Sequence, residues 1–246
     1  MDILKNKFII FGHRGAPKYS PENTIISFKK AIELGVHAIE LDILLTNDNK
    51  IIVFHDLDLN RIAGISKKVC DLNYNELSKI DVSNKWNKHF GFQKIPLLED
   101  VILIAKSHNI ILNIEIKSTR IIPTKIVNKV AEIIQKHQIE NQCIISSFNP
   151  LILRKMKNIY PNIFTSLIWS KDEVYFIQKF YKLLYWIAKP DGFHPDNNFI
   201  NKNLLSWAKL KNLLIYVFTV NSKDELIKLK SWGVNGIITD DPKIVL

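Results

Sequence analysis

Ala38-Ile39-Glu40-Leu41-Asp42-Ile43-Leu44 runs through Leu45 into Thr46-Asn47-Asp48-Asn49-Lys50, and then into Ile51-Ile52-Val53-Phe54-His55. The first run is apolar on both faces except for two acids. That pattern fits a strand buried on both sides, as in a parallel sheet. The second run starts so soon that no crossover fits, because a parallel neighbour needs a dozen or more connecting residues. It must therefore turn back antiparallel, as a hairpin arm. The chemical consequence is that His55, at the end of the arm, returns toward Glu40 and Asp42.

Further short apolar runs lie on either side of this hairpin. Phe8–Phe11, Ala38–Leu44, Ile110–Ile116, Cys143–Ser147, Ile163–Ile168, Asp191–His194, Leu214–Thr219 and Gly236–Thr239 make eight candidate strands with helical patterns between them. Strands alternating with helices give an α/β fold, and eight repeats give a closed (β/α)8 barrel. The first helix is predicted over Pro21–Leu34, with Ser20 as N-cap, Pro21 at the first helical position and Gly35 as the stop. Residues 57–98 are polar and end at Ile95-Pro96-Leu97. They read as a small insertion capping the barrel mouth, within one domain spanning residues 1–246.

The 246 residues are 47% hydrophobic, enough for one domain to bury a sizeable core. The two cysteines, Cys70 and Cys143, provide neither a disulfide framework nor a zinc spacing. The net charge of +10 is nearly all lysine. A solvated lysine-rich surface is the plain reading, and attraction to an anionic substrate or membrane surface is the sharper one. Nucleic acid is not expected as a partner, since the lysines are dispersed and no recognition motif is present. The N-terminal segment is polar, Phe8–Phe11 is too short for a signal-peptide core, and no run reaches membrane-span length. A soluble, cytoplasmic protein is expected. The aromatic segment Tyr175–Ala188 reads as an outer barrel helix, with weak membrane-surface contact as its alternative.

The acids and histidines fall at strand ends. Residues two apart on a strand share a face, so Glu40 pairs with Asp42 and Glu115 with Lys117. Barrel sites lie at the C-terminal ends of strands. Buried carboxylates need a cation, and Glu40, Asp42 and Glu115 form an all-oxygen set suited to one divalent metal, Mg²⁺ or Ca²⁺. The alternative is a buried ion-pair network with Arg14 or Lys117. His13 ends the first strand and His55 the hairpin arm, so one can give a proton while the other takes one. Arg14 can fork onto phosphate oxygens and Lys117 adds a point charge. His194 ends a candidate strand and is a candidate for the pocket wall. His37 reads as structural, and His89, His108 and His137 as solvated. Together these residues point to a metal-dependent phosphodiesterase.

His13-Arg14-Gly15, Pro21-Glu22-Asn23-Thr24, Glu40-Leu41-Asp42, His55-Asp56 and Ile114-Glu115-Ile116-Lys117 resemble the motifs of the glycerophosphodiester phosphodiesterase family. So do Ser146-Ser147-Phe148, Phe218-Thr219-Val220-Asn221 and Gly236-Ile237-Ile238-Thr239-Asp240. The resemblance runs from residue 8 to residue 242. It implies a TIM barrel that cleaves glycerophosphodiesters to glycerol 3-phosphate and an alcohol. It implies metal ligands at Glu40, Asp42 and Glu115, and acid/base histidines at His13 and His55. It also implies attack on phosphorus by a neighbouring glycerol hydroxyl, giving a cyclic phosphate that water opens; either histidine could play either part. Glu22 and Asn23 either support the metal or cap the first helix. Two departures stand out. Phe218 replaces the family's usual Trp at a pocket wall, and Ile62 stands where a hydroxyl residue is usual.

Other activities fit less well. A lysophospholipase D-like enzyme acting on lysophospholipids at a membrane surface would use the same groups but needs an apolar groove. A binding module on an inactive barrel would have lost one of the five site residues. A carboxylate-pair glycosidase would explain neither Arg14 nor the histidines.

Overall fold

The computed structural model describes residues 3–117, 124–170 and 180–245. The strands in chain order are β1 (Ile9–Gly12), β2 (Ala38–Leu45), β3 (Ile51–Val53), β4 (Asp58–Leu59), β5 (Ile65–Lys68), β6 (Ile111–Ile116), β7 (Cys143–Ser147), β8 (Phe164–Trp169), β9 (Gly192–Pro195), β10 (Leu214–Val217) and β11 (Gly236–Thr239). Parallel pairs run β2–β6–β7–β8–β9–β10–β11–β1. The pairing of Phe11 with Ala38 and Gly12 with Ile39 joins β1 back to β2. The result is a closed eight-stranded parallel barrel with helices between its strands, the TIM-barrel fold expected.

β3 pairs antiparallel with β2, Ile43 facing Val53 and Leu45 facing Ile51, so the hairpin forms where the short linker requires it. Strand edges shift by a residue or two from their expected positions. The largest shifts are of two residues: β10 ends at Val217 rather than Thr219, and β3 at Val53 rather than His55.

Two layers of apolar side chains hold the barrel. Ile9, Phe11, Ala38, Ile111, Ile144, Phe164, Tyr216 and Ile238 fill its interior, with Leu4 packed against them. A larger shell lies between strands and helices, typified by Ile39, Leu41, Val130, Leu153 and Leu229. Alternation along each strand decides which layer a residue joins. In β2, Ala38 joins the interior plug and Ile39 and Leu41 the outer shell, leaving Glu40 and Asp42 on the inward face with Ala38.

The first helix is Ile25–Glu33, not Pro21–Leu34. Its N-cap is Thr24, whose side chain accepts from the Ser27 amide, and not Ser20. Asn23 has φ 55°, a left-handed conformation that cannot continue a helix, so Pro21-Glu22-Asn23 forms a turn. The site uses that turn, as described below.

Residues 57–98 contain the β4–β5 ribbon and several short helices. Leu59, Val69, Leu72, Leu77, Val82 and Ile95 pack on Leu44, Ile52 and Phe54 of the hairpin as a small core of their own. Of the aromatic segment Tyr175–Ala188, residues 175–179 lie outside the described residues. Tyr181–Ala188 is an outer helix that buries Leu184 and Ala188 and exposes Leu183 and Trp186. Among the described residues no helix is long and apolar enough to cross a membrane. His37 is structural, its Nδ1 accepting from the Ile10 amide. His137, expected in solvent, lies 3.1 Å from Glu99 with a largely covered ring.

Candidate active site

Glu40, Asp42 and Glu115 each present a carboxylate oxygen, and these lie within 4.8 Å of one another. The register explains the convergence: Asp42 is the direct partner of Glu115 across β2 and β6, and Glu40 is the partner of Asn113. All three acids are buried. Burial and the neighbouring Asp42 push the Glu40 carboxyl up to about 8. Burial also raises Glu115, against the pull of Lys117. For Asp42 the burial effect is overcome by Lys117 and Arg14, which hold it well below the usual carboxylate range.

The cations are drawn to these acids. Lys117 Nζ lies 3.2 Å from Glu115 and 3.4 Å from Asp42. Arg14 Nε lies 3.2 Å from Asp42 without forming a hydrogen bond, while its Nη1 donates to Glu22 at 2.8 Å. The ion-pair network and the all-oxygen metal set thus involve the same atoms. A hard divalent cation fits here, since three carboxylate oxygens converge and burial pushes Glu40 and Glu115 toward the neutral form when only Arg14 and Lys117 are there to balance them.

The two histidines flank this cluster, each oriented by an aspartate. His13 Nδ1 donates to Asp240 at 2.6 Å, leaving Nε2 3.9 Å from Glu40. Asn221 Nδ2 donates to the other Asp240 oxygen at 2.7 Å, and Asn221 Oδ1 accepts from the Asp240 amide. His55 Nδ1 donates to Asp56 at 2.6 Å. Asp56 accepts from Arg61 Nε at 2.6 Å, and Arg61 forks onto both oxygens of Glu22 at 2.7 and 2.9 Å. Glu22 therefore links Arg61 to Arg14. Burial lowers His55 and outweighs Asp42. Burial also acts on His13, but there the Asp240 hydrogen bond and Glu40 prevail and the imidazole is raised.

Backbone geometry places Arg14 and Asn23. Arg14 has φ 50°, and its amide donates to Glu40 at 2.9 Å. Gly15 follows at φ 93°, where an added Cβ would overlap the side chain and backbone of Ser27. In the Pro21-Glu22-Asn23 turn, Asn23 Nδ2 donates to Asp42 at 2.9 Å. Neither Glu22 nor Asn23 caps a helix; one holds cations and the other a carboxylate.

Two cavities open at this end of the barrel. One of about 180 Å³ is lined by the acids Glu40 and Glu115, both histidines, Arg14, Lys117, Asn113, His194, Phe148 and Phe218. His194 thus does line the pocket, fully buried. Phe218 meets Phe148 edge-on at 6.3 Å, keeping an aromatic wall. The other, of about 370 Å³, is shared between His13, Arg14, Glu22 and Asp240 of the barrel and Ile62, Val82, Ser83, Asn84 and Trp86 of residues 57–98.

His13, Arg14, Glu40, His55, Glu115, Lys117, His194 and Phe218 all line the smaller cavity, and Asp42, Glu22 and Asn23 bond to Arg14, Lys117 or one another beside it. What sequence reasoning missed is the supporting ring: Asp240, Asp56, Arg61, Asn221 and Asn113. Asp56 and Asp240 each close a motif quoted above, and an aspartate next to a motif histidine was the available signal for the first.

A sequence profile of the Glycerophosphoryl diester phosphodiesterase family matches residues 13–244. The chain belongs to that family. Residues 13 to 244 take in every motif described above. The chain is 32% identical over 240 residues to a glycerophosphodiester phosphodiesterase of Caldanaerobacter subterraneus, covering 98% of this chain and 97% of that protein. It is 34% identical over 236 residues to one from Bacillus altitudinis, covering 95% and 94%. Among solved structures it resembles an Oleispira antarctica phosphodiesterase in complex with the product sn-glycerol-3-phosphate, at TM-score 0.89 and 23% identity over 98% of this chain and 96% of that one. It also resembles the Thermotoga maritima glycerophosphodiester phosphodiesterase, at TM-score 0.75 and 27% identity over 97% and 96%. Family membership makes the chain an enzyme, a phosphoric diester hydrolase.

Proposed function

We propose that this chain hydrolyses glycerophosphodiesters to glycerol 3-phosphate and an alcohol, with one divalent metal held by Glu40, Asp42 and Glu115. The observation that carries this reading is the convergence of those three carboxylates between two aspartate-oriented histidines. The metal, Mg²⁺ or Ca²⁺, would supply a Lewis acid beside the phosphoryl oxygens.

The remaining steps belong to the chain itself. Arg14, steadied by Glu22, and Lys117 bind the phosphate oxygens and balance the charge that grows on them. His55, lowered by burial, is the base that takes the proton of the attacking glycerol hydroxyl. His13, raised by its Asp240 hydrogen bond against the effect of burial, gives a proton to the leaving alkoxide. Water then opens the cyclic phosphate with the two roles exchanged. Phe148 and Phe218 pack on the glycerol carbons.

The lysophospholipase D-like alternative is not favoured. The cavity at the acids is lined mostly by charged and polar side chains, which suits a deacylated diester. The test is release of glycerol 3-phosphate from glycerophosphocholine by purified protein, with lysophosphatidylcholine in parallel, each with EDTA and with added Mg²⁺ or Ca²⁺. Metal-dependent turnover of the first substrate alone is expected. Turnover of the second alone would replace the proposal with the alternative.

A further inference from the structure

Residues 180–190 and 197–213 contain five lysines and no acid. These stretches hold two neighbouring outer helices, Tyr181–Ala188 and Lys202–Leu210. The helices meet through aromatic rings, Trp207 lying edge-on to Tyr181 at 4.8 Å and to Tyr185 at 5.5 Å. Their outer surface is apolar as well as basic. Leu183 is 55% exposed, Trp186 61% and Leu210 81%. Lys211 Nζ lies 5.3 Å from the Trp186 ring centre and 5.8 Å from that of Tyr185, so it bridges the two helices on this face. The first acid after these lysines, Asp191, is taken up by Lys157 at 2.6 Å.

This face lies far from the cavities described above. Tyr181–Ala188 leads into β9 and Lys202–Leu210 into β10. The last turn of each helix therefore sits at the N-terminal ends of the strands, opposite the end that carries the acids and histidines. A third helix, Lys223–Ser231, continues the pattern there, with Lys228 and Lys230 in its last turn and Asp224 and Glu225 in its first. Lys228 Nζ lies 4.8 Å from the Trp232 ring centre, and Lys209 Nζ donates to the Trp232 carbonyl at 2.7 Å. Lysines at helix C-termini complement the helix dipole, which accounts for some of this charge. It does not account for an exposed tryptophan and two exposed leucines among them.

A second copy of the chain would set these lysines against themselves, with no acid in either stretch to answer them. An anionic bilayer complements both properties. Its headgroups meet the lysines, and its interfacial layer takes indole and leucine side chains while lysine stems lie along apolar surface. We propose that this face docks on an anionic phospholipid surface, with Leu183, Trp186 and Leu210 among the headgroups and Lys182, Lys189 and Lys211 on their phosphates. The contact is peripheral, and it leaves the mouth of the barrel open to water. It does not depend on the reaction proposed above.

The test is co-sedimentation of the full chain with vesicles of phosphatidylcholine, and of phosphatidylcholine mixed equally with phosphatidylglycerol. Binding to the mixed vesicles alone is expected, weakening as added salt screens the lysines. Lys182→Ala combined with Lys211→Ala should weaken it about 30-fold, since each lysine at such a surface contributes about a factor of five. Trp186→Ser should weaken it as well. Lys67→Ala combined with Lys68→Ala removes the same charge from β5, and should bind as the wild type does. No binding of wild type to the mixed vesicles would overturn the proposal, and so would equal binding to phosphatidylcholine alone. An equal loss in the two double variants would assign the effect to net charge and overturn it too. A wild-type dimer that Trp186→Ser abolishes, with no vesicle binding, would give the face to a second copy instead.

Discussion

The His13 imidazole donates to the Asp240 carboxylate at 2.6 Å across a sequence separation of 227 residues. Barrel closure makes this contact, since β1 and β11 are neighbours and Phe11 pairs with Ile238. An aspartate at Nδ1 fixes the tautomer and leaves Nε2 free to work on substrate. Asp240→Asn should therefore slow release of a poor leaving group such as choline by about 10²-fold. It should barely slow a p-nitrophenyl diester, whose leaving group needs no proton. Comparing kcat on the two substrates checks this; an equal loss on both would make Asp240 merely structural.

Glu22 offers a second test, because it separates binding from stability. Its partners Arg14 and Arg61 meet it at 2.7 to 2.9 Å, but Arg61 is 48% exposed. Exposed ion pairs contribute about 1 kcal/mol or less to stability. Glu22→Gln should leave the denaturation midpoint nearly unchanged while raising KM about tenfold, because Arg14 loses its orientation toward phosphate. Arg61→Lys should behave alike, since an ammonium cannot reproduce the fork. A large stability loss with normal KM would contradict this account.

Metal binding should release a proton. In the cation-free chain the Glu40 carboxyl sits at about 8 rather than 4.5, so below that pH it is protonated. A divalent cation needs the carboxylate and must displace the proton. Calorimetry in buffers of different ionisation enthalpy should show about one proton released at pH 7 and almost none at pH 9. The sign for stability follows. Between 4.5 and about 8 the folded chain holds a proton that the unfolded chain has lost, so this group destabilises the cation-free fold as pH rises through that window. Saturating metal should remove that trend.

Gly15 tests the backbone. At φ 93° and against Ser27 it has no room for a Cβ. Gly15→Ala should cost about 2 kcal/mol or more in urea unfolding. Activity should fall further than stability, because the Arg14 amide that holds Glu40 is the preceding residue.

The barrel was legible because its strands are short, β-branched and bounded by polar turns. Cys143–Ser147 and Gly236–Thr239 needed no correction. The hairpin was legible from linker length alone. The first helix was misread because Pro21-Glu22-Asn23 has good capping chemistry, and only the tertiary bonds from Asn23 to Asp42 and from Glu22 to Arg14 show why the chain turns there instead. The acids and histidines were visible as residue types at strand ends. Asp240 and Arg61 were not, since their roles depend on contacts across the closed barrel and across the turn. Lys117 shows a subtler limit: its charge was evident, but not that it reaches Asp42 and Glu115 together.

The most direct test of the central claim is the anomalous signal of Mn²⁺ diffused into crystals of the protein. One peak is predicted, about 2.0–2.6 Å from oxygens of Glu40, Asp42 and Glu115 and flanked by the His13 and His55 rings. A peak elsewhere, or none in crystals of protein that turns over glycerophosphodiesters, would contradict it.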